Sequence, residues 1–257
     1  MVDFHSKSRY DLGDMIRLIA FLRSENGCPW DKVQTHESIR RNFIEEVYEA
    51  VEAIDAGDTE HMKEELGDVL MQVIFHTDIE RCRGKFDIDD VADASCKKLV
   101  ERHPNLFGGE PGQDWEEIKR RQNGYKTVAE SMEHVARSLP ALWRSEKILK
   151  KAANAGFRWD GIEGSLMQVD EEARELREAV RDGTNIAEEL GDLLLAAVGV
   201  AWTEGIDPES ALNAAADKFM ARFKTLEQAC LERGLDMGSM TQAELESLWQ
   251  ECKRLKK

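Results

Sequence analysis

The chain has 257 residues, 42% of them hydrophobic, with 51 acidic side chains against 35 basic ones and a formal net charge of −16. That length accommodates one large domain or two of about 120 residues with ample core-forming material. The charge argues against non-specific binding of nucleic acid, whose affinity comes from Lys and Arg displacing counterions from phosphates. The five cysteines (28, 82, 96, 230 and 252) are odd in number and lack C-x-x-C spacing. They fit reduced thiols in the cytoplasm better than a disulfide framework or a zinc site. No apolar segment near the N-terminus resembles an export signal, and none is long enough to span a membrane.

In chain order, Leu12, Met15, Ile16 and Ile19 give a helical period over 11–23, broken by Gly27 and Pro29. Thr35 can cap a helix whose apolar stripe includes Ile39, Phe43, Ala50 and Ile54, and Gly57 ends it. Asp58-Thr59 restarts the chain as a helix to about Arg83. So short a connection makes these two helices antiparallel neighbours. Asp87 opens a helix ended by His103-Pro104; GGEPGQD is a loop, and Asp114-Trp115 opens the helical WEEIKRRQ. Residues 126–140 read as a linker between a domain at 1–125 and another at 141–257.

The second half repeats the first. A helix from Leu142 to Asn154 is followed by the loop GFRWDGIEGS, then by Ser165 with Gln168 as a capping box. Asp182-Gly183-Thr184 is a tight helix–helix turn matching Gly57-Asp58-Thr59. Asp207-Pro208 starts a helix to Arg233, and Thr241 with Glu244 caps the last one. No stretch alternates with a period of two, so the expectation is an all-α protein of two tandem helical bundles.

Both halves carry E-E-x-x-E, a spacer and E-E-L-G-D running into an apolar helix, at 45–68 and 171–192. In so acidic a chain one such spacing arises by chance about once, and two copies with the same ending do not. In a helix, positions three apart share a face, so Glu46/Glu49 and Glu65/Asp68 form one pair of pairs. Glu172/Glu175 and Glu189/Asp192 form the other. Antiparallel packing would bring four carboxylates together in each half. Gly67 and Gly191, helix-interior glycines beside these pairs, suit either close helix packing or close approach of a ligand.

Carboxylates without imidazole or thiolate neighbours suit Mg²⁺, or Mn²⁺, rather than zinc. A di-iron bundle would show Glu-x-x-His where this chain has Glu-x-x-Asp. Magnesium held on carboxylates commonly takes phosphate oxygens as further ligands, and basic pairs follow each motif: Lys98 with Arg102, and Lys218 with Arg222. Trp249 (near Lys253) and Trp115 (near Lys119) could stack on a base or serve as core tryptophans.

These motifs, together with ENGCPWD, ERHPNLF and NAGFRWD, resemble the MazG-type nucleoside triphosphate pyrophosphohydrolases of the all-α NTP pyrophosphatase superfamily, over nearly the whole chain. The resemblance implies Mg²⁺-dependent hydrolysis of ribo- and deoxyribonucleoside triphosphates to a monophosphate and pyrophosphate by a homodimer or larger assembly. It implies no direct nucleic-acid or membrane partner. Carried over by residue, Glu172, Glu175, Glu189 and Asp192 are the expected metal ligands of the second half, and Glu46, Glu49, Glu65 and Asp68 their counterparts. Glu172 and Glu171 are the expected catalytic pair, Glu171 orienting water from a position about 100° round the helix. Asp192, Lys218, Arg222 and Trp249, with Lys98 and Arg102 in the first half, are the expected nucleotide contacts. The resemblance points to the C-terminal repeat as catalytic. Gln168 is a departure, an amide where related chains can carry a basic residue. The reading from another class is a regulatory or scaffold protein that binds nucleotide without hydrolysing it.

Overall fold

Among the described residues all regular structure is helical, and many of the helices, though not the four at Pro104–Phe107, Ala141–Asn154, Gly161–Asp182 and Ile186–Thr203, open on a capping side chain. The computed structural model describes residue 4, residues 6–108, residue 121 and residues 123–255. The chain divides into two units, Met1–Ile118 and Lys119–Lys257.

The first unit contains α1 (Leu12–Leu22), α2 (His36–Ala56), α3 (Thr59–Cys82), α4 (Ile88–Arg102) and the short α5 (Pro104–Phe107). Asp11, Thr35, Asp58 and Asp87 each accept a hydrogen bond from the backbone of the turn they open, satisfying donors that the helix itself leaves free. Gly57, at φ 67, closes α2 in the left-handed region and α3 begins two residues later. The chain therefore doubles back and α2 packs on α3. Ile19, Ile39, Ile74, Phe75 and Ile79 form the core between α1, α2 and α3, each such side chain contributing about 1.5–3 kcal/mol by burial. Arg23 spans this core's edge, its Nε 2.8 Å from Asp78 Oδ2 and its guanidinium 4.6 Å from the Phe75 ring centre.

The second unit contains α6 (Val128–Glu133), α7 (Ala141–Asn154), α8 (Gly161–Asp182), α9 (Ile186–Thr203), α10 (Pro208–Glu232) and α11 (Gln242–Leu255). Residues 126–140, expected as a linker, belong to this unit. Thr127 and Glu130 form a reciprocal capping box for α6, Ser131 and Val135 are buried, and Lys151 Nζ on α7 donates to Ser131 Oγ at 3.3 Å.

The cap expected at Ser165 and Gln168 is also corrected, because α8 starts four residues earlier, at Gly161. Ser165 lies inside the helix, fully buried, its Oγ bonded to Gly161 O at 3.1 Å and to Thr203 Oγ1 of α9 at 3.0 Å. A serine at this spacing serves either role, and the hydroxyl across the interface decides. Gly183, at φ 69, turns α8 back so that α9 packs along it. Leu226, Cys230, Leu248 and Cys252 join α10 to α11. All five cysteines are free, and no described helix is long and apolar enough to cross a membrane. The helix expected at WEEIKRRQ lies almost wholly outside the described residues.

Candidate active site

The E-E-x-x-E helices are α2 and α8, and the E-x-x-D helices are α3 and α9. Their antiparallel packing brings carboxylates together in both units. One oxygen each of Glu46, Glu49 and Glu65 lie within 4.8 Å of one another, as do one oxygen each of Glu172, Glu189 and Asp192. Three of each expected four converge, and the omitted member differs. Asp68 stands outside the first trio and Glu175 outside the second, where the Glu175 carboxylate accepts from Arg174 Nη2 at 3.3 Å. Both omitted groups remain close enough to act through charge. Glu46 is pushed above the usual glutamate range by desolvation first and then by Asp68, Glu49 and Glu65. Glu189 is pushed up likewise by desolvation, then by Glu175, Asp192, Glu188 and Glu172.

A divalent cation would relieve that repulsion, and the donors are hard carboxylate oxygens, so both trios fit Mg²⁺ or Mn²⁺. A Cβ built on Gly67 or Gly191 would meet nothing within 4 Å. Among the described residues neither glycine admits a neighbouring helix, and both leave space beside the carboxylates. Glu171 does not join the second trio: its exposed side chain lies 3.9 Å from Arg174. Glu45 is likewise drawn outward, accepting from Arg41 Nε at 2.8 Å. One step round the helix turns each of these carboxylates away from its cluster, as the offset of about 100° from the neighbouring glutamate leads one to expect.

Of the groups that hold the trios, His61 and Gln72 were not singled out from the sequence, and Gln168 was noted there for a cap and for its missing positive charge rather than as a partner of Glu172. In the first unit the Gln72 side chain hydrogen-bonds Glu46, and His61 Nε2 lies 2.9 Å from Glu65 Oε1. In the second, Gln168 Nε2 donates to Glu172 Oε1 at 2.5 Å, and Trp159 Nε1 donates to Gln168 Oε1 at 3.3 Å. The signal was present in the spacing, since His61 precedes Glu65, Gln72 follows Asp68 and Gln168 precedes Glu172 by four residues, one helical turn.

Lys218, Arg222 and Trp249 do come together. They line a cleft of about 540 Å³ between α10 and α11, with Phe219, Phe223 and Lys253. The Trp249 and Phe219 rings lie 5.3 Å apart at 47°, and Lys253 Nζ sits 5.6 Å from the Trp249 ring centre. The floor is aromatic and the rim cationic, which suits a flat ring carrying an anionic tail. No carboxylate of the second trio lines this cleft. In the first unit Lys98 and Arg102 share α4, Lys98 exposed and Arg102 half-buried, while Trp115 and Lys119 lie outside the described residues.

The family model described as the MazG nucleotide pyrophosphohydrolase domain matches this chain twice, over residues 34–107 and 162–226. The nucleoside triphosphate pyrophosphohydrolase/pyrophosphatase MazG of Thermotoga maritima is 41% identical over 243 residues, covering 93% of this chain and 94% of that one. The nucleoside triphosphate pyrophosphohydrolase of Escherichia coli K12 is 38% identical over 241 residues, covering 90% and 92%. That of Mycolicibacterium smegmatis is 39% identical over 182 residues, covering 66% and 56%. Both matched regions contain a complete carboxylate trio, and the chain belongs to the MazG nucleotide pyrophosphohydrolase family.

Proposed function

We propose that this chain is an enzyme that hydrolyses nucleoside triphosphates between the α and β phosphates, releasing a nucleoside monophosphate and pyrophosphate, in a Mg²⁺-dependent reaction that accepts ribo- and deoxyribonucleotides. The observation that carries the reading is the convergence of carboxylates from α8 and α9 in the unit that also holds the cationic, aromatic cleft. Glu172, Glu189 and Asp192 would hold the ion, with Glu175 beside them, and Glu46, Glu49 and Glu65 are the equivalent set in the first unit. Bound there, Mg²⁺ would neutralise phosphate charge and make water a better nucleophile.

The chain's own part is binding and positioning. Lys218 and Arg222 hold phosphate oxygens by charge-assisted hydrogen bonds, and Trp249 with Phe219 stacks the base without reading its identity. Raised pKa values at Glu46 and Glu189 mean that protons compete with the ion for both sites. Self-association as a homodimer belongs to the same reading. Leu166, Leu190 and Leu194 on the trio-bearing helices, and Phe219 and Met220 on α10, are all more than 40% exposed. Apolar side chains so placed favour a second copy as cover.

The test is product identification with ATP, dUTP and an oxidised nucleotide under Mg²⁺. Pyrophosphate is expected. Orthophosphate would indicate an ordinary triphosphatase, and absence of turnover with retained nucleotide affinity would favour the regulatory, non-hydrolysing reading.

A further inference from the structure

The strongest feature left over by this function is the hydrogen-bonded run from Trp159 through Gln168 to Glu172. An indole N–H can only donate. Because Trp159 Nε1 points at Gln168 at 3.3 Å, the amide must present its oxygen there, leaving its NH₂ for Glu172 Oε1 at 2.5 Å. Trp159 is itself fixed. A Cβ on Gly199 would come within 2.8 Å of Trp159 Cζ3, so the ring lies against the bare backbone of α9. The Ser165–Thr203 hydrogen bond ties the start of α8 to the same end of α9. α9 also carries Glu189 and Asp192.

We infer that Gln168 is a positioning residue for the ion site: with its flip state set by Trp159, it holds one oxygen of Glu172 and presents the other to the cation shared with Glu189 and Asp192. The inference rests on the carboxylate trio being the ion site. It gives Gln168 a task different from a phosphate contact, because its NH₂ is engaged by the carboxylate. The first unit shows that the arrangement is not a by-product of the repeat. There Asn42 stands at the position of Gln168, one methylene shorter, and Phe75 at that of Gly199. Trp30, in the Trp-Asp pair that precedes the first motif as Trp159-Asp160 precedes the second, is 57% exposed, and Glu46 is held instead by Gln72 of α3.

The test uses the full chain labelled with ¹⁵N at the tryptophan indoles, the Trp159 resonance being assigned by its loss in Trp159→Phe. Mn²⁺ broadens this signal through space, independently of hydrogen bonding, and the part of the titration lost in Glu172→Gln is the part whose midpoint reports affinity at the second trio. Gln168→Met keeps length and bulk and removes the donor. Its midpoint is expected to rise by about 10- to 100-fold, with unchanged thermal unfolding and an unchanged nucleotide KM at saturating Mn²⁺.

An unchanged midpoint in Gln168→Met beside a shifted one in Glu172→Gln overturns the positioning role and leaves the ion site standing. A wild-type midpoint in Glu172→Gln itself overturns both. A raised nucleotide KM with unaltered Mn²⁺ affinity makes Gln168 a substrate contact and also overturns the inference. Should Gln168→Met fail to fold, Trp159→Phe decides, because freeing the amide to flip is expected to raise the Mn²⁺ concentration needed for half-maximal turnover several-fold. No rise there overturns the proposal.

Discussion

The two acidic clusters share a motif and differ in how they are built. In the first unit the trio is Glu46, Glu49 and Glu65, with Glu65 buried and in contact with His61, and with Gln72 of α3 bonded to Glu46. In the second unit the trio is Glu172, Glu189 and Asp192, none of them buried, with Gln168 of α8 bonded to Glu172. His61 and Gln72 correspond to Asn185 and Ala196 in the repeat, so the first unit secures its carboxylates from the ExxD helix and the second from the EExxE helix. The same four acidic letters thus yield two donor geometries. Different side chains hold the converging carboxylates in the two units. The second cluster shares its unit with the cleft of Lys218, Arg222, Phe219 and Trp249, and the first shares its own with a cleft of about 440 Å³ lined by His36, Arg40, Phe43, His76 and Phe86.

The sharpest way to break this comparison is to remove one donor from each cluster. Glu172→Gln is expected to lower kcat by at least about 10²-fold, the equivalent of some 3 kcal/mol of lost charge stabilisation. Glu46→Gln is expected to cost much less in the same pyrophosphate assay. The reverse order would move catalysis to the first unit.

Next in size is the cleft. Trp249→Ala removes a stacking surface worth about 1–3 kcal/mol per base. Steady-state kinetics should show nucleotide KM raised by roughly 5- to 150-fold, similarly for purines and pyrimidines.

Smaller effects follow from charge in the carboxylate clusters. Glu46 and Glu189 carry raised pKa values, so while ionised they cost the folded state stability relative to an unfolded chain in which their values are ordinary. That cost disappears as pH falls through the raised values, or when a cation binds. The metal-free protein is therefore expected to melt at a slightly higher temperature on mild acidification from neutrality. Saturating Mg²⁺ should stabilise it more, by about 2.7 kcal/mol at a concentration 100 times Kd, and should remove the gain from acid. Melting curves with and without Mg²⁺ at two pH values check both.

The smallest effect separates the units at strongly acid pH. Asp14 of α1 is held by Lys7 at 2.6 Å and by Arg17 at 2.5 Å, which keeps its carboxyl down at about 2 from an ordinary 3.8. A depressed carboxyl contributes stability above its unfolded value and loses it as pH falls through the folded one. Asp14→Asn should flatten the acid limb of unfolding between roughly pH 4 and pH 2 in the first unit and leave the second unchanged, as resolved by hydrogen exchange of each.

The sequence by itself determined the helical class, the repeat, the turns at Gly57 and Gly183 and the acidic positions, because caps, left-handed glycines and one-turn spacings are local properties of the chain. It also named Lys218, Arg222 and Trp249, which the packing of α10 on α11 gathers into one cleft. Tertiary structure alone decided that residues 126–140 pack as part of the second unit, that Ser165 is an interior residue, and which carboxylate each cluster leaves out. Those outcomes turn on partners that the local pattern does not contain: Thr203 for Ser165, Ser131 for Lys151, the α9 backbone at Gly199 for Trp159. A side chain that can satisfy either of two roles is assigned by whichever partner the fold brings within hydrogen-bonding distance.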